Sequence, residues 1–208
     1  MNKDIKEIFK RFKEKNPQPK GELIYSSSYT LLVAVVLSAQ ATDISVNKAT
    51  KNLFKLAKNP EEMISIGEEK VIENIRSIGL YKNKAKNVIN LSKILIEKFN
   101  GVVPKSIEEL QSLPGVGRKT ANVVLNMAFG VPTIAVDTHV FRVSNRTQIA
   151  VGKNVDEVES ILLKNIPKEY LYHAHHWLIL HGRYICKARK PLCNECPITD
   201  LCPANIYA

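Results

Sequence analysis

The stretch Leu113-Pro114-Gly115-Val116-Gly117-Arg118-Lys119-Thr120-Ala121 decides how this chain is read. Residues 106–113 carry a helical pattern that ends at Leu113, and residues 118–129 carry another. Between them Gly115-Val116-Gly117 makes a tight hairpin, because two glycines allow positive φ and close backbone approach. The second helix then presents unpaired N–H groups and the positive end of its dipole, a ready place for a phosphate oxygen. An ordinary helix–helix turn has the same outline. The adjacent cations Arg118 and Lys119 favour a phosphate contact, made with the backbone of Gly115 and Gly117 and the side chain of Arg118.

Helical periodicity extends in both directions from this hairpin. Ile5, Ile8, Phe9 and Phe12 form an i, i+3, i+4, i+7 stripe near the N-terminus. A loop with two prolines follows, Asn16-Pro17-Gln18-Pro19. Tyr29 to Gln40 is apolar all round and reads as a buried helix, although its β-branched residues also permit a strand. Asp43 is placed to N-cap the next helix, whose Val46, Ala49, Leu53 and Phe54 face inward. Further helices are expected at about 59–65, 67–78 and 82–99, then 138–146, 154–164 and 170–185. Gly79, Gly101 and Gly130 stand where helix ends need left-handed backbone. Val131-Pro132-Thr133-Ile134-Ala135-Val136 is a short extended link. No period-two alternation appears, so the fold class is all-α.

Composition narrows the function. Among 208 residues, 30 Lys and Arg stand against 20 Asp and Glu, a net charge of +10. Such an excess favours a polyanionic partner through release of condensed counterions. The longest uninterrupted apolar run, Leu31–Leu37, is far short of the roughly 20 residues a spanning helix needs. The charged start Met1-Asn2-Lys3-Asp4-Ile5-Lys6 shows no secretory signal. A cytoplasmic protein without a membrane partner is expected. All four cysteines, Cys186, Cys193, Cys196 and Cys202, fall in one short segment. In a cytosolic chain this clustering argues for a metal or cluster site over disulfides. Four thiols suit zinc or an iron–sulfur cluster.

Four segments carry a resemblance. Leu37-Ser38-Ala39-Gln40-Ala41-Thr42-Asp43, the hairpin, Ala135-Val136-Asp137-Thr138-His139-Val140-Phe141-Arg142-Val143, and His175-His176-Trp177-Leu178-Ile179-Leu180-His181-Gly182-Arg183 precede the cysteines. Together they resemble the endonuclease III family, DNA glycosylase/lyases of the helix–hairpin–helix superfamily, over nearly the whole chain. The resemblance implies two helical domains. Residues 22–131 form a six-helix domain with the helix–hairpin–helix motif, and residues 1–21 plus 132–208 form the iron–sulfur domain. The C-x6-C-x2-C-x5-C spacing matches the family's loop, which implies a [4Fe–4S] cluster on Cys186, Cys193, Cys196 and Cys202.

The implied activity is removal of oxidised pyrimidines in base excision repair. Nicking 3′ to the abasic site follows, by β-elimination through a lysine Schiff base. Lys119 corresponds to the catalytic lysine. By itself, a lysine beside Gly-x-Gly reads more readily as a phosphate contact. Its amine must be unprotonated to attack, whereas a free lysine has a pKa of about 10.4. The helix N-terminus and Arg118 favour the neutral form, and a nearby carboxylate opposes them. Asp137 corresponds to the catalytic carboxylate, which stabilises the cationic sugar or assists proton transfer. Read alone, it is an ordinary N-cap.

The resemblance also assigns Gln40 and Leu80 as wedges that replace an extruded nucleotide. For Leu80 alone, burial is the plainer reading. Lys82, Lys84 and Lys86 follow it and are placed to hold the DNA backbone. Lys190, with Lys187 and Arg189, lies between the first two cysteines and presents cations to phosphates. His173, His175 and His176 read as packing residues, and Trp177, Leu178 and Leu180 as core. The expected partner is double-stranded DNA containing damaged pyrimidines or abasic sites, bound by a monomer in a prokaryote-like nucleoid. One rival is an adenine-mismatch glycosylase, which lacks the lysine nucleophile and needs an acid that Thr30 to Thr42 does not supply. Another is a non-catalytic DNA-binding iron–sulfur protein.

Overall fold

Tyr29 to Leu37 are all buried, and this decides between the two readings of that segment. It is a helix, begun by a reciprocal capping box in which Ser27 accepts from the Thr30 N–H and Thr30 Oγ1 accepts from the Ser27 N–H. It ends at Leu37, three residues before Gln40. Ser38 turns the chain, its carbonyl accepting from the Ala41 N–H at 3.1 Å. Gln40 therefore stands outside the helix, with a left-handed φ of 54°.

The computed structural model describes residues 3–204. Among them, regular structure consists of α-helices and two short 3-10 turns. The helices are α1 (Lys3–Lys15), α2 (Ser28–Leu37), α3 (Asp43–Leu56), α4 (Pro60–Ile75), α5 (Tyr81–Phe99), α6 (Ile107–Gln111), α7 (Arg118–Phe129), α8 (Thr138–Arg146), α9 (Val155–Asn165) and α10 (Lys168–Tyr184). Among the described residues no helix is long and apolar enough to cross a membrane.

The chain divides into two units. One is Glu22–Gly130, and the other joins Met1–Gly21 to Val131–Ala208. In the first, α2 packs on α7, α6 also packs on α7, and α4 lies against α3 and α5. Its interior is filled by side chains such as Leu31, Leu53, Met63, Ile75, Leu91 and Leu110. In the second, the stripe Ile5, Ile8, Phe9 and Phe12 of α1 enters one core with Val140 and Val143 of α8, Leu162 of α9 and Trp177 of α10. Trp177 also donates its Nε1–H to the Asn16 carbonyl at 2.8 Å, fixing the chain where α1 ends. That indole is core, as its helical spacing indicates.

Three local expectations change. The patterns at 59–65 and 67–78 form one helical run with a kink at Gly67, whose φ of 78° and ψ of 165° break the α conformation. The cap of α3 is Thr42, whose Oγ1 accepts from the Ser45 N–H at 3.2 Å, so Asp43 becomes the first helical residue. Before α5 the left-handed residue is Leu80, at φ 59°, and not Gly79. Gly101 and Gly130 do adopt positive φ at their helix ends.

Candidate active site

The hairpin is held from below by Leu113 and Val116, both buried. Gly115 has a φ of 80°, and a Cβ there would lie 2.9 Å from Asn87 Nδ2 and 3.1 Å from Val36 Cγ1. Both left-handed backbone and close packing demand glycine at this position. Gly117 differs: its φ is −88° and a Cβ would meet nothing within 4 Å. The shared explanation of positive φ therefore holds for Gly115 alone. At Gly117 the bare backbone leaves an open approach to the start of α7.

Gly117 is the N-cap of α7 and supplies no side-chain hydrogen bond, and the first turn holds no acidic residue. Arg118 and Lys119 occupy that turn, and both are exposed. The start of α7 thus combines a glycine N-cap without a side-chain bond, the positive end of the dipole and two cationic side chains. It is suited to an anion, and the Lys119 side chain brings a primary amine to the same turn.

In the same unit, Leu80 is 58% exposed, against the plain reading of a lone leucine as core. Gln40 is exposed as well. Both have left-handed backbones that cost L-residues about 1–2 kcal/mol. Lys82 and Lys86 are exposed, whereas Lys84 is buried. Its Nζ has no hydrogen-bond partner, and burial lowers its pKa. Of the three lysines after Leu80, Lys84 is the one not placed at the surface.

In the other unit Asp137 is the N-cap of α8. Its Oδ1 accepts from the His139 N–H at 2.9 Å and the Val140 N–H at 2.8 Å. Its Oδ2 lies 3.2 Å from His139 Nδ1. The side chain is 16% exposed, so a fixed carboxylate edge remains near solvent.

At the far end of α8 lies the cysteine segment. Cys186, Cys193, Cys196 and Cys202 line one small cavity together with Arg146 and His181. Burial pushes the Cys196 and Cys202 thiols up, and the neighbouring thiolates add to the effect. Such a set holds its charge only when a cation compensates it. Among the described residues no three His, Cys, Asp or Glu side chains draw together as one metal ion requires. A four-iron cluster takes one thiolate at each of four separate corners, so its ligands ring a wider cavity. The residues fit that group.

Sequence reasoning assigned no role to the groups that hold the chain around the cysteines. Arg142 donates to the Gly182 carbonyl at 2.7 Å and the Cys186 carbonyl at 3.1 Å. Arg146 donates to the Lys187 carbonyl at 2.7 Å and the Ala188 carbonyl at 2.9 Å. His181 Nε2 lies 3.8 Å from Cys196 Sγ, and burial together with Lys15 lowers the imidazole pKa to about 4. The spacing of Arg142 and Arg146, four apart on one helix, was the available signal. Lys187, Arg189 and Lys190 are exposed, and Lys190 is left-handed at φ 52°.

Comparison with known proteins agrees with these features. A family model described as an HhH-GPD superfamily base excision DNA repair protein matches residues 33–168. The iron–sulfur binding domain of endonuclease III matches residues 186–202. Endonuclease III of Escherichia coli strain K12 is 59% identical over 97% of this chain and 96% of its own length. The chain belongs to the endonuclease III family. The Rickettsia conorii endonuclease III is likewise 59% identical, over 95% of this chain and 94% of its own length. A solved endonuclease III–DNA covalent intermediate with an estranged adenine superposes with a TM-score of 0.89 at 49% identity, covering 96% of this chain and 94% of that one. A thermostable thymine-DNA glycosylase, 24% identical with a TM-score of 0.87, shares the fold; that match covers 100% of this chain and 99% of that chain. As an endonuclease III family member, the chain is a DNA-binding glycosylase and AP lyase of base excision repair. It carries a [4Fe–4S] cluster.

Proposed function

We propose that the chain excises oxidised pyrimidines from double-stranded DNA, with Lys119 as nucleophile and Asp137 as the carboxylate that serves the developing sugar cation. The observation that carries this reading is the position of Lys119. It is exposed in the first turn of an uncapped, acid-free helix directly behind the unobstructed backbone of Gly117. Phosphate contacts by Gly115, Gly117 and Arg118 hold the strand there.

The Lys119 amine bonds to C1′ while the glycosidic bond breaks, and the base departs with a proton. Opening of the sugar leaves a Schiff base between Nζ and C1′. Loss of a proton from C2′ then expels the 3′ phosphate, which nicks the strand, and water releases the lysine. Asp137 offers negative charge to the cationic sugar at the first stage and accepts protons at the later ones. Gln40 and Leu80 enter the gap left by the extruded nucleotide, because unpairing costs a few kcal/mol that these side chains offset.

Cys186, Cys193, Cys196 and Cys202 hold the cluster, which when bound fixes the fold of its loop. Lys190, with Lys187 and Arg189, contacts DNA phosphates from that loop. The protein acts as a monomer on nucleoid DNA in the cytoplasm.

Borohydride reduction on a duplex with an abasic site tests this reading. A lysine lyase becomes covalently linked to the strand, and a non-catalytic scaffold does not. Excision of thymine glycol, with an adenine-mismatch duplex left intact, is the expected substrate pattern.

A further inference from the structure

Arg146 is the last residue of α8, and its guanidinium meets three consecutive residues of the cysteine segment. Nη1 donates to the Lys187 carbonyl at 2.7 Å and also faces Cys186 Sγ at 3.7 Å. Nη2 donates to the Ala188 carbonyl at 2.9 Å. The planar fork is always charged and presents its donors in fixed directions.

Two features of the segment it holds work against its shape. Lys187, Arg189 and Lys190 are exposed cations in a span of four residues, and they repel one another. Lys190 is left-handed without being glycine. The base of the loop is closed by the Leu192 N–H donating to the Ile185 carbonyl at 2.9 Å. Arg146 supplies side-chain hydrogen bonds to the arm between that closure and Lys190.

We propose that Arg146 is a positioning residue with two linked effects: it donates to the Cys186 sulfur, tuning the cluster, and it fixes the carbonyls of Lys187 and Ala188, setting the path of the cationic arm. The second effect rests on the reading that this arm faces DNA; the first does not. A donor and a positive charge at a ligand sulfur favour the more reduced, more negative member of a redox couple. Removing them lowers the reduction potential.

Arg11 provides the comparison. It also clamps this unit's cysteine segment, donating to the Pro197 carbonyl at 3.1 Å and to Asp200 Oδ2 at 3.0 Å, but among the described residues it donates to no sulfur. Holoprotein carrying Arg146→Gln, Arg146→Lys or Arg11→Gln is examined by voltammetry. Binding to a duplex with a tetrahydrofuran abasic analogue is measured across a salt series.

Arg146→Gln is expected to shift the potential negative by a tenfold change in the one-electron equilibrium, about 59 mV. Arg146→Lys recovers part of that shift, and Arg11→Gln leaves the potential in place. Arg146→Gln also weakens DNA binding and flattens its salt dependence by about one phosphate contact. A wild-type potential in Arg146→Gln, or an equal shift in Arg11→Gln, overturns the sulfur role. A shifted potential with unchanged binding and salt slope overturns the arm-setting role. Where Arg146→Gln fails to retain its cluster, Arg146→Met, which also lacks the charge and the donor, carries the measurement, and a wild-type potential there overturns the sulfur role.

Discussion

Asp137 and Val140 are joined by the 2.8 Å hydrogen bond that starts α8, and the same carboxylate oxygen also holds the His139 N–H. The helix thereby fixes one edge of the group assigned to catalysis. A carboxylate held in advance by backbone donors needs little reorganisation when charge develops on a substrate. Asparagine caps helices as well as aspartate does. Asp137→Asn therefore keeps the cap and costs at most about 1 kcal/mol of stability, through the lost dipole interaction. The single-turnover excision rate falls by a factor on the order of 100 or more. Circular dichroism and urea denaturation check the fold, and quenched-flow assays check the rate. A variant that excises at the wild-type rate removes Asp137 from the chemistry.

Leu80 separates wedge from scaffold. Its φ of 59° is strained for leucine, while neighbouring Gly79 needs neither positive φ nor the missing Cβ. Local preference would put glycine one position later. Leu80→Gly is accordingly expected to keep stability or raise it by up to about 1 kcal/mol. Excision from duplex DNA slows, as it does in Leu80→Ala. Elimination at a preformed, exposed abasic site in flexible single-stranded DNA slows much less. Equal losses on both substrates point instead to general binding.

The hairpin was legible because its signals are local. Glycine, proline and adjacent cations mark a helix–turn–helix without knowledge of what packs beneath it. The cap at Asp137 was legible for the same reason. The cysteine spacing alone left zinc and iron–sulfur open, because thiol count does not fix how widely the ligands are spread. Other features depend on tertiary context. Lys84 lies in a run of lysines, and nothing in that run says that it alone points inward. Asp43 and Thr42 are both competent caps, and the turn after Ser38 selects Thr42. Arg146 is an ordinary helix-terminal cation until the cysteine segment folds back over it.

His176 predicts an acid-sensitive component of stability. It is 7% exposed, its Nδ1 has no hydrogen-bond partner, and burial followed by His173 lowers its pKa to about 4. An unfolded histidine titrates near 6.5. Between these values the unfolded chain binds a proton that the folded chain refuses, so stability rises with pH across the window. The contribution is complete above about pH 6.5 and is lost progressively toward pH 4, on the order of 3 kcal/mol at most. His176→Leu removes the titrating group and a buried unpaired atom. Urea midpoints for that variant should fall less steeply from pH 6.5 to pH 4.5 than those of the wild type. Parallel slopes would assign the acid sensitivity to other groups.

Lys119 carries the central test. Lys119→Gln removes the nucleophilic amine and retains a side chain of similar reach in the first turn of α7. Gln is also a good helix former, so the fold is expected to stand. The phosphate contacts proposed for Gly115, Gly117 and Arg118 are untouched. Affinity for a duplex with an abasic analogue therefore falls by no more than about tenfold, the scale expected when one cation near phosphate is lost. Schiff-base trapping and strand nicking are abolished. This differs in kind from Asp137→Asn, which forms the same covalent species slowly. Borohydride trapping under single-turnover conditions distinguishes the two. If Lys119→Gln still forms the adduct at the wild-type rate, another amine is the nucleophile. If it loses affinity as well as trapping, Lys119 acts chiefly as a phosphate contact, the role that its place beside Gly-x-Gly suggests when read without the family.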